Sequence, residues 1–394
     1  MRVVEYLLWM LRLPLLLALV ALPGLAYAQV DVALVARTVE CKDLNPARCP
    51  AMKTILDAGP AAWGAVRQAL RSTDQAVRAR ASQLAERAEL GTGPERSRDL
   101  VADLAATPDA VRGELLEALG RVKDPGAVPV LAAAVRDART DARNRLFAAN
   151  ALGALEGDVA RDALVAALRD DVPRVQLAAA FALGERRDPA TVPALIDRAL
   201  EEITAAYVRE AAAAALGRMK DPRALAPLVV LLGCPALSVR VAAAHALAQL
   251  GDTAATPALV AKLGDAELAP ALTEALGALM DKRAAAPLAS LAVAPTTSAE
   301  LRRKALWSVG ELADPATVET LKPLLASEDP ELAREAVEAL GRIGDRSAVV
   351  ALIPMLEYRD HEVQKTTVWA LEKLTEQRFG LKIEAWKAWR ASRE

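Results

Sequence analysis

The sequence predicts an all-α protein, a solenoid of about ten stacked helix pairs. Three observations carry this. One short phrase recurs at intervals near 31 residues, the apolar positions inside it follow the helical period, and no stretch alternates with period two over the length of a strand. The composition agrees: apolar residues make up 53% but aromatics only 3%, so Ala and Leu do the packing and helices approach closely. A length of 394 residues would otherwise point to two or three globular domains. A repeat array escapes that arithmetic, because each unit packs only on its neighbours.

The phrase is Ala-Leu-Gly with an Asp a few residues on, often followed by Pro. It reads ALGRVKDP at Ala118 to Pro125, ALGERRDP at Ala182 to Pro189, ALGRMKDP at Ala215 to Pro222 and ALGRIGDR at Ala339 to Arg346. Its third residue serves as an anchor, at positions 120, 153, 184, 217, 248, 277, 310 and 341, with a degenerate copy at Glu372 and a weaker one near Glu86. Seven aspartates, Asp124, Asp188, Asp221, Asp252, Asp281, Asp314 and Asp345, stand four residues after an anchor. An Asp there accepts the orphan N–H groups of a helix start, and the Pro that follows four of them fits the first helical position. Each Asp is therefore expected to open the first helix of a pair. The Gly anchors fall near the end of the second helix, where a missing Cβ permits either chain reversal or close packing.

The second helix shows its buried face by counting back from the anchor. One residue back is almost always Leu, such as Leu119, Leu216 and Leu340, and five back is mostly Ala, such as Ala148, Ala212 and Ala336. Positions one, two, five and nine back form a single helical stripe, the expected core.

These residues carry a resemblance. The pattern VR-x-x-A-A-x-A-L-G followed by D-P-x-x-x-P-x-L resembles the bacterial HEAT-repeat proteins of the PBS-lyase HEAT-like subtype, over about residues 60 to 376. The closing LTEQRFGLKIEAWKAWRASRE is similar to a tail that follows such arrays, with Trp386 and Trp389 on one helical face. The resemblance implies an armadillo-like alpha-alpha superhelix whose second helices line the concave side. The expected organisation is a signal peptide at 1–28, a leader and capping segment at 29–58, the solenoid at 59–376 and a C-terminal capping helix at 377–394.

Residues 1–28 read as a secretory signal: Arg2 and Arg12 precede the apolar run Leu13 to Leu22, and Ala26-Tyr27-Ala28 has the small-x-small form of a cleavage site. The run is short for a membrane span, with an uncleaved anchor as the rival reading. The chain is thus expected to be exported, periplasmic or secreted, with no membrane span once the signal is removed. In such a compartment Cys41 and Cys49, eight apart around the turn signal Asn45-Pro46, are candidates for a disulfide, the alternative being two free thiols.

Signals for chemistry are sparse. Six arginines, Arg78, Arg112, Arg145, Arg209, Arg240 and Arg302, stand eight residues before an anchor. Such a column can track phosphates, but it shares the side of the core stripe and so is read as pairing with acids and carbonyls between units. The net charge of −2 gives no bulk case for nucleic acid. Only His245 and His361 are present, without ligand spacing around them, and no Gly-x-Ser-x-Gly or phosphate loop occurs. The expectation is a non-enzymatic scaffold without cofactor or metal. Two alternatives stand beside it: a lyase-like or cofactor-handling protein, and a self-associating component of envelope assembly.

The expected binding surface comes from where the repeat stops repeating. Three residues back from the anchors stand Gln83, Glu117, Asn150, Phe181, Ala214, His245, Glu274, Trp307, Glu338 and Trp369; ten back includes Tyr207, Glu267, Glu300, Glu331 and Glu362. These positions lie opposite the core stripe. Phe181, Tyr207, His245, Trp307 and Trp369 are the candidate contacts for a protein or peptide partner, since aromatics bury much area with few rotors. The glutamates of the later repeats point to a basic segment in that partner.

Overall fold

The structure, a computed structural model, describes residues 30–392; the expected signal at 1–28 lies outside them. The described chain is helical throughout, without a strand, and its contacts cluster into two compact units that meet at Ala182 and Leu183.

The N-terminal unit opens with α1 (Val32–Arg37), whose cap Asp31 accepts a 2.9 Å hydrogen bond from the Leu34 N–H, and α2 (Pro50–Ala58). The expected leader is therefore itself helical, and Cys41 and Cys49 are joined between its two helices with their Cα atoms 5.7 Å apart. Helix pairs follow: α3 (Trp63–Ala69) with α4 (Gln75–Leu84), α5 (Gly93–Ala106) with α6 (Asp109–Val122), α7 (Val128–Arg136) with α8 (Ala142–Gly153), and α9 (Asp158–Ala167) with α10 (Pro173–Arg186). The C-terminal unit continues with α11 (Val192–Leu200) and α12 (Ala206–Met219), α13 (Leu225–Leu231) and α14 (Leu237–Leu250), α15 (Thr256–Val260) and α16 (Ala269–Leu279), α17 (Ala285–Val293) and α18 (Ala299–Leu312), α19 (Val318–Leu321) and α20 (Pro330–Ile343), and α21 (Val349–Leu352) and α22 (His361–Thr375). The last helix is α23 (Ile383–Ala391).

The recurring Asp does one job with a small difference from expectation. Asp188, Asp221, Asp252, Asp281, Asp314 and Asp345 each accept a bond of 2.8–3.1 Å from the N–H two residues on. What they open is a single 3-10 turn, such as Pro222–Ala224, and the α-helix begins after it. The tighter turn lets Pro enter at its first position while the chain redirects into the helix.

The Gly anchors serve close packing, not reversal. A Cβ on Gly120 would lie 2.6 Å from the Ala151 Cα, and one on Gly217 2.7 Å from the Ala246 Cα, so each anchor seats the Ala of the next second helix against bare backbone. The reversal comes three residues later, in the left-handed conformation, and mostly without glycine: Lys123, Arg187, Lys220, Met280 and Ala313 all have φ near +50°. Gly120→Ala is expected to destabilise by about 1–3 kcal/mol through this overpacking. Gly64→Ala, in helix α3 with open space around the site, should instead stabilise by up to about 1 kcal/mol through helix propensity. Paired chemical denaturation curves check the opposite signs.

The stripe one and five residues back from the anchors is fully buried, with Leu119, Leu152, Leu216, Leu247, Leu276, Leu340 and Leu371 all at 0% exposure. The arginine column closes the turns inside each pair. Arg78 donates to the Ser72 and Thr73 carbonyls, Arg112 to Thr107, Arg145 to Thr140, Arg209 to Ala199, Arg240 to Cys234 and Pro235, and Arg302 to Ala294. Three of them also tie neighbouring pairs: Arg78 to Glu114 at 3.2 Å, Arg145 to Asp170 through two bonds of 2.7 and 2.8 Å, and Arg240 to Asp265 and Glu267 at 3.5 Å. Their guanidinium groups satisfy turn carbonyls that would otherwise be left without donors.

At the C-terminal end α23 packs on the turn Ile353–Glu357 of the last pair. Trp386 is completely buried there, its Nε1–H donates 2.8 Å to the Gly380 carbonyl, and Phe379 stands edge-on to its ring at 4.9 Å. Trp389 lies on the same face, 6.4 Å from Trp386.

Candidate protein-binding surface

The second helices of the C-terminal unit lie side by side, with the leucine stripe turned inward. The residues three back from each anchor therefore point away from the core. Along α14, α16, α18, α20 and α22 this column reads His245, Glu274, Trp307, Glu338 and Trp369. Trp307 is 57% exposed and Trp369 41%, while the residues beside them, Leu306 and Ala370, are buried.

The column is linked by charge. Glu274 lies 3.7 Å from the His245 imidazole and takes a 2.6 Å bond from Lys304, which raises the lysine's pKa. Arg342 stands 6.0 Å over the Trp307 ring and binds both Glu311 and Glu338 at 2.8 Å. Lys373 sits 5.1 Å over the Trp369 ring. Trp369 also has a packing role, its ring edge lying where a Cβ on Gly341 would come within 2.6 Å.

Tyr207 and Phe181 stand apart from this line. Tyr207 is 43% exposed, but it sits ten residues before its anchor, seven residues or roughly 10 Å along the helix from the level of the column. Its helix offers Ala214 at the column position. Phe181, also exposed, belongs to the N-terminal unit, where Phe147 is the aromatic the sequence reading missed; its ring covers Gly113 and lies 5.5 Å from Arg143.

Two clefts flank Trp307. One, of about 440 Å³ between α16 and α18, is lined by Gly277, Ala278, Met280, Trp307 and Ser308, with Glu274 and Lys304 at its edge. The other, of about 390 Å³ between α18 and α20, has Trp307, Leu306 and Ala339 as apolar walls and Arg303, Lys304, Glu331, Arg334, Glu335, Glu338 and Arg342 around them. Glu335 is the unusual group in it. Its Oε1 lies 3.7 Å from Arg334 and 4.0 Å from Arg303, and its buried Oε2 has no hydrogen-bond partner. Burial pushes its carboxyl up to about 7, helped by Glu331 and Glu338 and opposed by Arg334 and Arg303.

This shift has a sign. The folded state holds the Glu335 proton more tightly than the unfolded chain, so stability falls as pH rises from the ordinary carboxylate range, near 4.5, to about 7 and is flat above. Glu335→Gln should remove that slope. Its stability relative to the parent chain should rise by about 1–2 kcal/mol between pH 4.5 and 8, less than the full shift would give because the cleft is open to water. Melts of both proteins across this range check it.

Among the described residues no group of three or more His, Cys, Asp or Glu could hold a metal ion, and no helix is long and apolar enough to cross a membrane.

Comparison with known proteins places this architecture. Kap95p, solved with RanGDP, superposes with a TM-score of 0.61 over 90% of this chain and 56% of its own, at 14% identity; Kap121p gives 0.53 over 87% and 46%, also at 14%. Both show the same α-solenoid fold. The CpcE–CpcF phycocyanin lyase of Nostoc sp. PCC7120 matches at 25% identity over 59% of this chain and 95% of its own, with a TM-score of 0.35. No curated protein matches significantly. The family model described as a PBS lyase HEAT-like repeat matches residues 111–137, and the one described as HEAT repeats matches 138–206, 200–269 and 289–372, together more than half of the chain. The chain belongs to the HEAT-repeat family.

Proposed function

We propose that this chain is a non-catalytic, exported scaffold that holds a protein or peptide partner on the face of its second helices in the C-terminal unit. The single observation behind this reading is the column of His245, Glu274, Trp307, Glu338 and Trp369. It keeps two tryptophans half-exposed beside a core that is otherwise closed. Exposed tryptophan serves recognition better than folding, since it buries a large area at small entropic cost once a partner covers it. Kap95p, which shares the fold, is a protein that binds RanGDP, so a solenoid of this kind can hold another protein. Export rests on the character of residues 1–28. The glutamates exposed along the face, Glu267, Glu274, Glu300, Glu331 and Glu362, favour a partner segment that is basic.

The experiment is partner recovery from envelope extract with Tyr207→Ala/Trp307→Ala. Helicity and melting temperature should stay within those of the parent, because neither side chain is in the core, while recovery drops by an order of magnitude or more. Unchanged recovery, or a melt lowered as far as by a core leucine change, would sink the reading. Recovery of only further copies of the chain would move the function to self-association. A bound chromophore in the purified protein would favour the lyase-like alternative.

A further inference from the structure

Resting on the scaffold reading, we infer that Met280 is an oxidation site that switches the cleft between α16 and α18. As a thioether it receives an apolar side chain of the partner's basic segment; as a sulfoxide it turns that side chain away.

The array itself marks Met280 as unusual. Seven left-handed exits stand three residues after an anchor, and the other six hold Lys123, Arg187, Lys220, Gly251, Ala313 and Gly344. Each of those is charged or small, as suits a chain reversal at the surface. Only Met280 puts a large apolar side chain there, and it stays 57% exposed. The core beside it is already closed by the buried Leu276 and Leu279. What Met280 builds is the cleft: it and the Trp307 ring are the two large apolar walls, to which Gly277 and Ala278 add little more than backbone. At the rim Glu274 and Glu300 share one lysine, Lys304, at 2.6 and 3.7 Å, and the His245 imidazole, 3.7 Å from Glu274, adds charge only when protonated. That surplus of carboxylate suits a basic neighbour of the seated side chain.

The same side chain is the accessible thioether. Among the described residues Met52 and Met355 are buried and Met219 is half-buried, so a peroxide reaches the Met280 sulfur first. A sulfur lone pair attacks one peroxide oxygen, and the O–O bond breaks as the S–O bond forms. The other oxygen leaves as water with both protons. The sulfur is oxidised by two electrons and the peroxide is reduced by two. A seated apolar group would strip water from the new oxygen without replacing it, which costs affinity. Methionine sulfoxide reductases reverse the step, releasing the oxygen as water while a dithiol becomes a disulfide.

Peroxide titration of the purified chain, resolved by residue with mass spectrometry, tests this, with partner recovery from envelope extract as the binding readout. Conversion of Met280 to the sulfoxide should lower recovery at least about 5-fold, and treatment with the reductases for both epimers should restore it. Met280→Leu should hold recovery within about 2-fold and make it indifferent to peroxide, while Met280→Gln should lower it untreated. All variants should melt with the parent, since this side chain is outside the core. Partner bound in advance should slow oxidation at Met280 and not at Met219. Full recovery by the oxidised parent or by Met280→Gln, loss by peroxide-treated Met280→Leu equal to the parent's, or Met280 oxidation unchanged by bound partner overturns the inference. If that happens while Tyr207→Ala/Trp307→Ala still loses the partner, the scaffold survives and the switch fails. If the double variant also keeps its partner, both fail.

Discussion

Replacing Leu216 with Ala is expected to cost about 2–5 kcal/mol and to unfold the C-terminal unit piecemeal rather than at once. Leu216 sits one residue before the Gly217 anchor in α12 and is completely buried. Its loss leaves a cavity between rigid helices, and the Ala-rich neighbours have little side chain with which to fill it. Each pair touches only the next, so the defect stays local: repeats near α12 should open at lower denaturant than those near α22. Hydrogen exchange resolved by residue, compared with global circular dichroism, reads this directly. One sharp transition shared by all probes would argue against a loosely coupled array.

The second large effect is at the C-terminal end. Trp386→Ala is expected to cost about 3–5 kcal/mol, as for other fully buried tryptophans. The ring fills the contact between α23 and the turn Ile353–Glu357, and its indole N–H satisfies the Gly380 carbonyl. Without it the last pair, α21 and α22, has an uncovered apolar end, and end repeats without a polar cap are the first to fray and aggregate. Limited proteolysis should cut residues 349–375 much faster in this variant. Trp389→Ala, whose ring is only partly buried, should be clearly milder. Equal effects from the two changes would show that α23 is an appendage, not a cap.

Much of the fold was legible because the repeat fixes several independent signals to one period. Asp314 and Pro315 mark a start, Val309 and Ala305 mark the core, and Gly310 marks a close approach, all in one stretch. The shared face of Trp386 and Trp389 was readable from their standing three apart. Less was visible where a position does not announce its conformation. The reversal falls on Lys123, Lys220 and Ala313, residues with no intrinsic preference for left-handed backbone, because stacking leaves the chain no other exit. The glycine anchors are compatible in sequence with either reversal or close packing, so the sequence alone does not separate the two.

The candidate surface was legible as a column and not as a site. Counting back from the anchors found Trp307 and Trp369 and their exposure, but set Tyr207 beside them although it stands about two turns away. The clefts depend on how far α16, α18 and α20 stand apart, and the state of Glu335 depends on guanidiniums from two helices that stop 3.7 and 4.0 Å short of it. Neither can be read from a one-dimensional pattern. A glutamate six residues before its anchor looks like any other solvated acid until its neighbours are placed.

The most direct test of the central claim is site-specific photo-crosslinking in intact cells. A photoreactive residue would be placed at position 278, where exposed Ala278 lines the cleft beside Trp307, and, as a control, at position 230, where Val230 is 65% exposed on the first helix α13. The account predicts a discrete crosslink to one protein partner from position 278, lost when Trp307→Ala is added, and none from position 230. Crosslinks arising from position 230 and not from 278 would contradict it, placing the working surface on the first helices and leaving the tryptophan column as packing.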